Sequence, residues 1–195
     1  LQAVLPTHAL LWNREDTTAY ECDGLTAYRQ RLRDEIVGTF DFGTFLSSAA
    51  NAQGKSRRQG IEAEASWNPS PAVRIAANYA YLDASEPSVG SGHIRELRRP
   101  KHSGSVTIDG MKGKLSYGAS IAYVGRRADT DFDRFERVSL SPYWLAGARL
   151  GYSVRPGVEV FARVANAFGE HYQDVVGYRT EGRSGYAGVR LDLGR

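Results

Sequence analysis

The sequence predicts an all-β fold, an antiparallel meander of long strands that forms part of a transmembrane β-barrel. Three observations predict it. First, apolar and polar residues alternate in run after run: Ile61–Trp67, Val73–Tyr81, Leu115–Tyr123, Trp144–Tyr152, Val158–Val164 and Ala187–Leu193. In the first, Ile61, Ala63, Ala65 and Trp67 share one parity, and Glu62, Glu64 and Ser66 the other. A period of two gives each strand one apolar and one wet face. Second, tight connections alternate with long ones, as periplasmic turns and extracellular loops do in membrane barrels. Third, the apolar faces carry many small residues, among them Ala63, Ala65, Ala77, Ala119, Ala146, Ala148, Ala162 and Ala187. A sandwich core needs larger side chains to fill the space between sheets, whereas lipid tails fill any shape. The opposite faces, with Glu62, Glu64, Arg74, Asn78, Arg149 and Arg163, suit a wet lumen.

Residues 1–24 are the least periodic part and form a poorly defined N-terminal segment. LQAVLPTHALLWN has no basic stretch before an apolar one, so it is not expected to be a signal peptide. A strand follows over Leu25–Val37, then a weak strand and loop over Asp41–Gly54. Ser56–Asn68 and Val73–Ala84 form a hairpin around Pro69-Ser70-Pro71. Residues 85–96 are polar and rich in Gly and Ser, hence a long loop. Strands Leu97–Asp109 and Lys114–Arg127 meet at the short turn from Gly110 to Gly113. Asp129–Val138 is the next loop, and Ser141–Val154 and Val158–Phe168 flank Arg155-Pro156-Gly157. A last loop, Gly169–Gly182, leads into Arg183–Leu193. The aromatics gather near the ends of the apolar faces: Trp67, Tyr79, Tyr81, Tyr117, Tyr123, Trp144 and Tyr152. That is the interfacial banding of a membrane barrel.

Composition narrows the function. The net charge of +3 is mild and the arginines are scattered in short clusters, so no nucleic-acid partner is expected. The single cysteine, Cys22, cannot form an internal disulfide and reads as a small residue in a loop or strand end. His8, His93, His102 and His171 lie far apart. There is no nucleophile elbow, phosphate loop or H-E-x-x-H, so neither an enzyme nor a cofactor is expected. The acidic run Asp129, Asp131, Asp133 and Glu136 has a spacing that could hold calcium. With Arg134 and Arg137 among them, a solvated loop is the expectation, and no metal site is assigned.

Several motifs then occur in one order. YRQRLRDEIVG is followed by GKSRRQGIEAEASW, with Gly54, Gly60 and Glu62. Next comes LRRPKHSGSV, with Leu97, Arg98, Arg99, Pro100 and His102. The segment from Val164 to Leu193 carries Val164, Asn166, Phe168 and Tyr172, then Gly177, Tyr178, Gly182 and Arg183. Together they resemble the closing strands of TonB-dependent outer-membrane receptors, from about Tyr28 to Leu193. Within that family, the spacing from Ala165 to Arg183 and the L-R-R-x-K from Leu97 to Lys101 are most similar to cobalamin (vitamin B12) receptors.

The resemblance implies a receptor in the cell outer membrane of a Gram-negative bacterium, in contact with its lipid. It would take up a scarce chelate, cobalamin first and a ferric siderophore as the alternative. Energy would come from the TonB complex through a plug domain not contained in this chain. Arg98 and Tyr178 match ligand-facing positions, where a guanidinium fork suits amides and carboxylates and a phenol offers an apolar face with a polar tip. Such barrels have about 22 strands around a plug, and this chain supplies about eight or nine. Residues 25–195 are therefore expected to be the C-terminal portion of a larger barrel. The sequence departs from the family in ending Leu193-Gly194-Arg195, without a terminal aromatic. Two other readings stay open: a small eight-stranded structural barrel with no transport role, and a soluble β-domain with a ligand cleft.

Overall fold

The computed structural model describes residues 24–33, 35–41, 43–51, 54–88 and 92–192. The N-terminal segment before Gly24, with Cys22 and His8, lies outside them, as does the Leu193-Gly194-Arg195 end. The strands are β1 (Gly24–Arg33), β2 (Ile36–Asp41), β3 (Leu46–Asn51), β4 (Lys55–Ser70), β5 (Val73–Pro87), β6 (His93–Arg95) and β7 (His102–Lys112). After them come β8 (Leu115–Val124), β9 (Arg127–Asp131), β10 (Glu136–Leu140), β11 (Tyr143–Arg155), β12 (Val158–Ala165) and β13 (Ser184–Leu191).

One antiparallel sheet runs β1-β4-β5-β7-β8-β11-β12-β13, with β6 added beside β5. β4, β5 and β11 are 16, 15 and 13 residues long. A tilted strand needs about 9–11 residues to cross a bilayer. The tight connections β4–β5, β7–β8 and β11–β12 lie at one end of the sheet, and all the long ones at the other. The predicted rhythm is the observed one.

Strand register shows that the small apolar stripes form one surface. Residues paired across an antiparallel ladder point to the same side. One continuous row is Ala65, Ala77, Val106, Ile121 and Ala146, and the next is Trp67, Ile75, Ile108, Ala119, Ala148, Val164 and Gly185. At the loop end this surface carries Tyr79, Tyr81, Tyr123 and Trp144, with the Tyr123 and Trp144 rings 4.7 Å apart. At the turn end it carries Trp67, Tyr117 and Tyr152. Trp144 and Tyr152 stand eight residues apart on β11. That is about 27 Å along a strand, or about 20 Å of depth at the tilt of such barrels, whose apolar band is about 25 Å tall.

Among the described residues nothing packs against the apolar surface. Trp67, Trp144, Leu150 and Val189 are all more than half exposed, and among the described residues the buried apolar side chains are Ala84, Leu140 and Tyr143. A soluble sandwich would bury this face, so the structure fits a membrane wall. No described helix is long and apolar enough to cross a membrane, which says nothing of strands. Within the described residues β1 pairs only with β4 and β13 only with β12. The sheet is open, whereas an eight-stranded barrel closed on itself would join those two edges.

The element bounds differ from the sequence reading where neither face is apolar. The strand expected over Leu25–Val37 ends at Arg33, and Ile36–Asp41 pairs with Leu46–Asn51 as a hairpin, β2 with β3, where Asp41–Gly54 was expected to be a weak strand and a loop. The two next long connections carry β6 and the β9–β10 hairpin. A strand with both faces in water leaves no period-two signal. β7 begins at His102, not Leu97, because Pro100 has no N–H for the ladder. Leu97 instead makes a lone parallel bridge to Ala128.

Candidate functional site

The face opposite the lipid-type surface is polar and self-paired. Asn78 Nδ2 donates to Ser105 Oγ at 2.7 Å. Arg149 Nη2 reaches Asp109 Oδ1 at 2.7 Å across β8, passing over Gly118. A Cβ on Gly118 would sit 2.5 Å from that Asp109 oxygen and 2.7 Å from Arg149 Nε. Glu159 accepts from Ser116 Oγ at 3.2 Å and from Arg190 Nη1 at 2.8 Å. The first of these passes over Gly151, where a Cβ would collide with Glu159 Oε1. Small residues on the middle strand let charged side chains bridge strands that do not touch.

At the loop end of this inner face the connections are tied together by charge. Arg58, on β4, gives Nε to Glu96 at 2.8 Å and Nη2 to Glu35 at 2.6 Å. Arg99 lies 3.7 Å from the same Glu96. Arg98 then links two connections. Its backbone N–H donates to Ala128 O at 2.7 Å, and its Nε to Asp129 Oδ1 at 2.9 Å. Asp129 is fully buried, and its other oxygen accepts the Val176 N–H at 2.8 Å. Burial pushes its carboxyl up. The N–H groups of Val176 and Thr130, with the Arg98 guanidinium, outweigh that and hold it below its ordinary value.

A second tie lies beside the first. The buried Arg127 guanidinium donates to Gln173 O and to Asp174 Oδ1, the latter at 3.1 Å, and stands 5.0 Å over the Tyr143 ring. Tyr143 donates to the same Asp174 oxygen at 2.7 Å and packs on Tyr172 at 4.2 Å between centroids. Tyr143 has the inward parity of β11, so the connection after β12 folds onto the inner mouth. Asn166 pins that connection at its base. It receives the Glu170 N–H and donates to the Glu170 and Glu181 carbonyls.

Both residues singled out in the sequence sit on this knot. Arg98 adopts φ 58° and its guanidinium is engaged by Asp129. Tyr178 closes a turn with its N–H on Val175 O at 3.1 Å, and its side chain is 73% exposed. Val176, inside that turn, bonds Asp129, so one carboxylate joins the two neighbourhoods. The solvated acidic loop expected around Asp129 is corrected here, because Asp129 is buried and paired. Asp131 caps its own turn, accepting the Asp133 and Arg134 N–H groups at 2.9 and 3.3 Å. Glu96, Asp174 and Tyr143 gave no sequence signal, since the hydrogen bonds that tie them span 31 to 47 residues.

A pocket of about 670 Å³ opens beside the knot, lined by Ser139, Pro142, His171, Tyr172, Gln173 and Arg179 among others. It carries hydroxyls, a guanidinium, an imidazole and the Glu170 carboxylate, a lining suited to a polar solute.

Long antiparallel strands, an unburied apolar band between two aromatic girdles and loops gathered at one end define an outer-membrane β-barrel wall. The family model described as TonB dependent receptor-like, beta-barrel, matches residues 24–167, about three quarters of the chain. The chain belongs to that family, one of receptors and not of enzymes, and its place is the outer membrane. Among solved structures it is similar to the pyoverdine outer-membrane receptor FpvA of Pseudomonas aeruginosa, with 18% identity and TM-score 0.67 over 87% of this chain and 27% of that one. It is similar to the ferric-catecholate import receptor Fiu of E. coli, with 23% identity and TM-score 0.65 over 86% and 25%. It is also similar to the siderophore receptor PirA of Acinetobacter baumannii, with 17% identity and TM-score 0.67 over 87% and 29%. The chain thus spans about a quarter of the length of these receptors.

Proposed function

We propose that the chain is the C-terminal part of the barrel of a larger receptor that imports a ferric siderophore. The energy would be delivered by a TonB complex through a plug outside residues 25–195. The two sheet edges, unpaired among the described residues, support the larger barrel, because backbone groups left unbonded in lipid are not tolerated. The names of the similar receptors favour a siderophore over cobalamin, the ligand that the motif spacing resembles. The observation that carries the reading is the knotted inner mouth, with Tyr178 exposed on the turn next to the Arg98–Asp129 pair. Ferric chelates present oxygen-rich, flat surfaces, which a phenol ring and guanidinium forks recognise.

The test uses the full-length gene product in a strain stripped of its own receptors, supplied with ferric pyoverdine, a ferric catecholate or cobalamin. Growth on a ferric chelate is expected, and uptake of cobalamin alone would replace the siderophore reading. Tyr178→Ala is expected to weaken chelate binding about tenfold, the usual cost of removing a contact aromatic. Arg98→Ala also frees Asp129, so the two variants are read together. Binding lost only in Arg98→Ala would leave Tyr178 outside the site and make Arg98 a loop tie alone.

A further inference from the structure

Just beyond the aromatic girdle at the loop end, the outward face changes from apolar to basic. On β1 the outward positions run Leu25, Ala27, Arg29, Arg31, Arg33, and on β4 they run Ile61, Gln59, Arg57, Lys55 in the same direction. Register stacks them: Arg29 opposes Gln59, Arg31 opposes Arg57 and Arg33 opposes Lys55. Arg57 also pairs with Ser85, and Ser85 with Arg95 on β6, so Arg31, Arg57 and Arg95 form one row across four strands. All these cations are exposed. Among the described residues none of the three has a carboxylate partner. The nearby outward acid Asp83 lies 3.9 Å from Lys101.

Cations directly opposed across a ladder destabilise it unless an anion lies between them, and here two such pairs follow one another. The inner face does the reverse: Arg58, next in sequence to Arg57, holds two carboxylates. The row stands four residues past Ile61 and Tyr81, about 10 Å higher at a barrel tilt. The headgroup layer is about 5–8 Å thick on each side, and long arginine side chains reach back into it.

We propose that Arg31, Arg57 and Arg95, with Arg29 and Lys55 beside them, clamp the phosphates of an outer-leaflet lipid headgroup against the barrel wall. Bidentate guanidinium contacts to phosphate give the affinity. The Tyr79–Tyr81 part of the lipid-facing band would lie along the acyl chains below. This site is independent of the imported chelate and of the inner mouth.

The test measures binding of bis-phosphorylated lipid A, and of the same lipid stripped of its phosphates, to the detergent-purified full-length gene product by native mass spectrometry. The phosphorylated lipid is expected to bind at least about tenfold more tightly. The combined variant Arg31→Gln, Arg57→Gln, Arg95→Gln should lose about a hundredfold in affinity. Lys112→Gln, at an outward position of the turn end, should lose nothing. The single variant Arg57→Gln, checked for heat-modifiable migration of a folded barrel, guards against a failure of the triple variant to fold, and should show a partial loss. Equal binding of the two lipids, wild-type affinity in the triple variant, or full displacement by free inorganic phosphate would overturn the proposal. Loss of chelate uptake in Tyr178→Ala with lipid binding intact would separate this site from the import function.

Discussion

Asp129→Asn is expected to release the connection between β12 and β13 from the inner mouth while leaving the sheet intact. The native carboxylate holds the Arg98 guanidinium at 2.9 Å and the Val176 N–H at 2.8 Å. An amide can accept with one oxygen, not two, and turns a donor toward one of these donors. Breaking a fully buried ion pair costs about 3–5 kcal/mol. Arg98 is 45% exposed, so water recovers part of that, and about 2 kcal/mol is expected. In hydrogen exchange the Val176 and Arg98 amides should then exchange about thirtyfold faster, as such a loss implies. Amides of Val106 and Ile121, in the middle of the sheet, should not change. Unaltered protection at Val176 would mean that the carboxylate does not tie the loops. Acid should mimic the substitution. The folded-state value of Asp129 lies below its ordinary 3.8. Its contribution is therefore complete above the unfolded-state value and lost as pH falls through the folded one. Protection at Val176 in the native protein should drop in strong acid, and in Asp129→Asn that drop should be smaller, since the variant has already lost the Asp129 tie.

The parts of this fold that were legible are those in which neighbouring residues face different solvents. Ile61 to Trp67 shows its faces in any window of seven residues, and from there the pairing partners Tyr81 to Ile75 follow by register. Outside the bilayer both faces are wet, so β9 and β10 carry no such contrast and read as a loop, and β2 and β3 read as no more than the end of one strand and a weak strand with a loop. The site was legible only in part for a related reason. Arg57 and Arg58 are identical in kind and adjacent, yet among the described residues one is outward without a carboxylate and the other inward with Glu35 and Glu96. Parity separates them, but only once β4 is known to run unbroken from the lipid band into the headgroup layer. Asp129 is harder still. It sits in a run of alternating acids, and what buries it is Arg98, 31 residues before it, and Val176, 47 after. No local pattern encodes contacts of that span. The family motifs marked Arg98 and Tyr178 as neighbours in function. The carboxylate that joins their neighbourhoods came from the structure.

Ala148→Arg is expected to be the most damaging exposed substitution in the sheet, and it distinguishes a lipid-facing band from an exposed soluble face. Ala148 lies on the outward row between Ala119 and Val164, midway between Trp144 and Tyr152. An arginine near the midplane of a barrel costs about 2–4 kcal/mol, falling toward zero at the interfaces. The next residue, Arg149, is already an arginine, tolerated because it turns inward to Asp109 at 2.7 Å. Ser120→Arg, on that inward face beside Gly147, should therefore cost less than about 1 kcal/mol, as an exposed substitution in water does. Urea unfolding of the full-length gene product in vesicles measures both. A large loss for Ala148→Arg with a small one for Ser120→Arg fixes which face meets lipid. The opposite order would turn the wall inside out, and equal small losses would return the sheet to water. The same ordering has a depth dependence that a soluble sheet cannot imitate. Moving the new arginine from position 148 to position 152, in the girdle at the turn end, should recover most of the lost stability although both sites are exposed to a similar degree. Only a solvent that changes along the strand can produce that gradient.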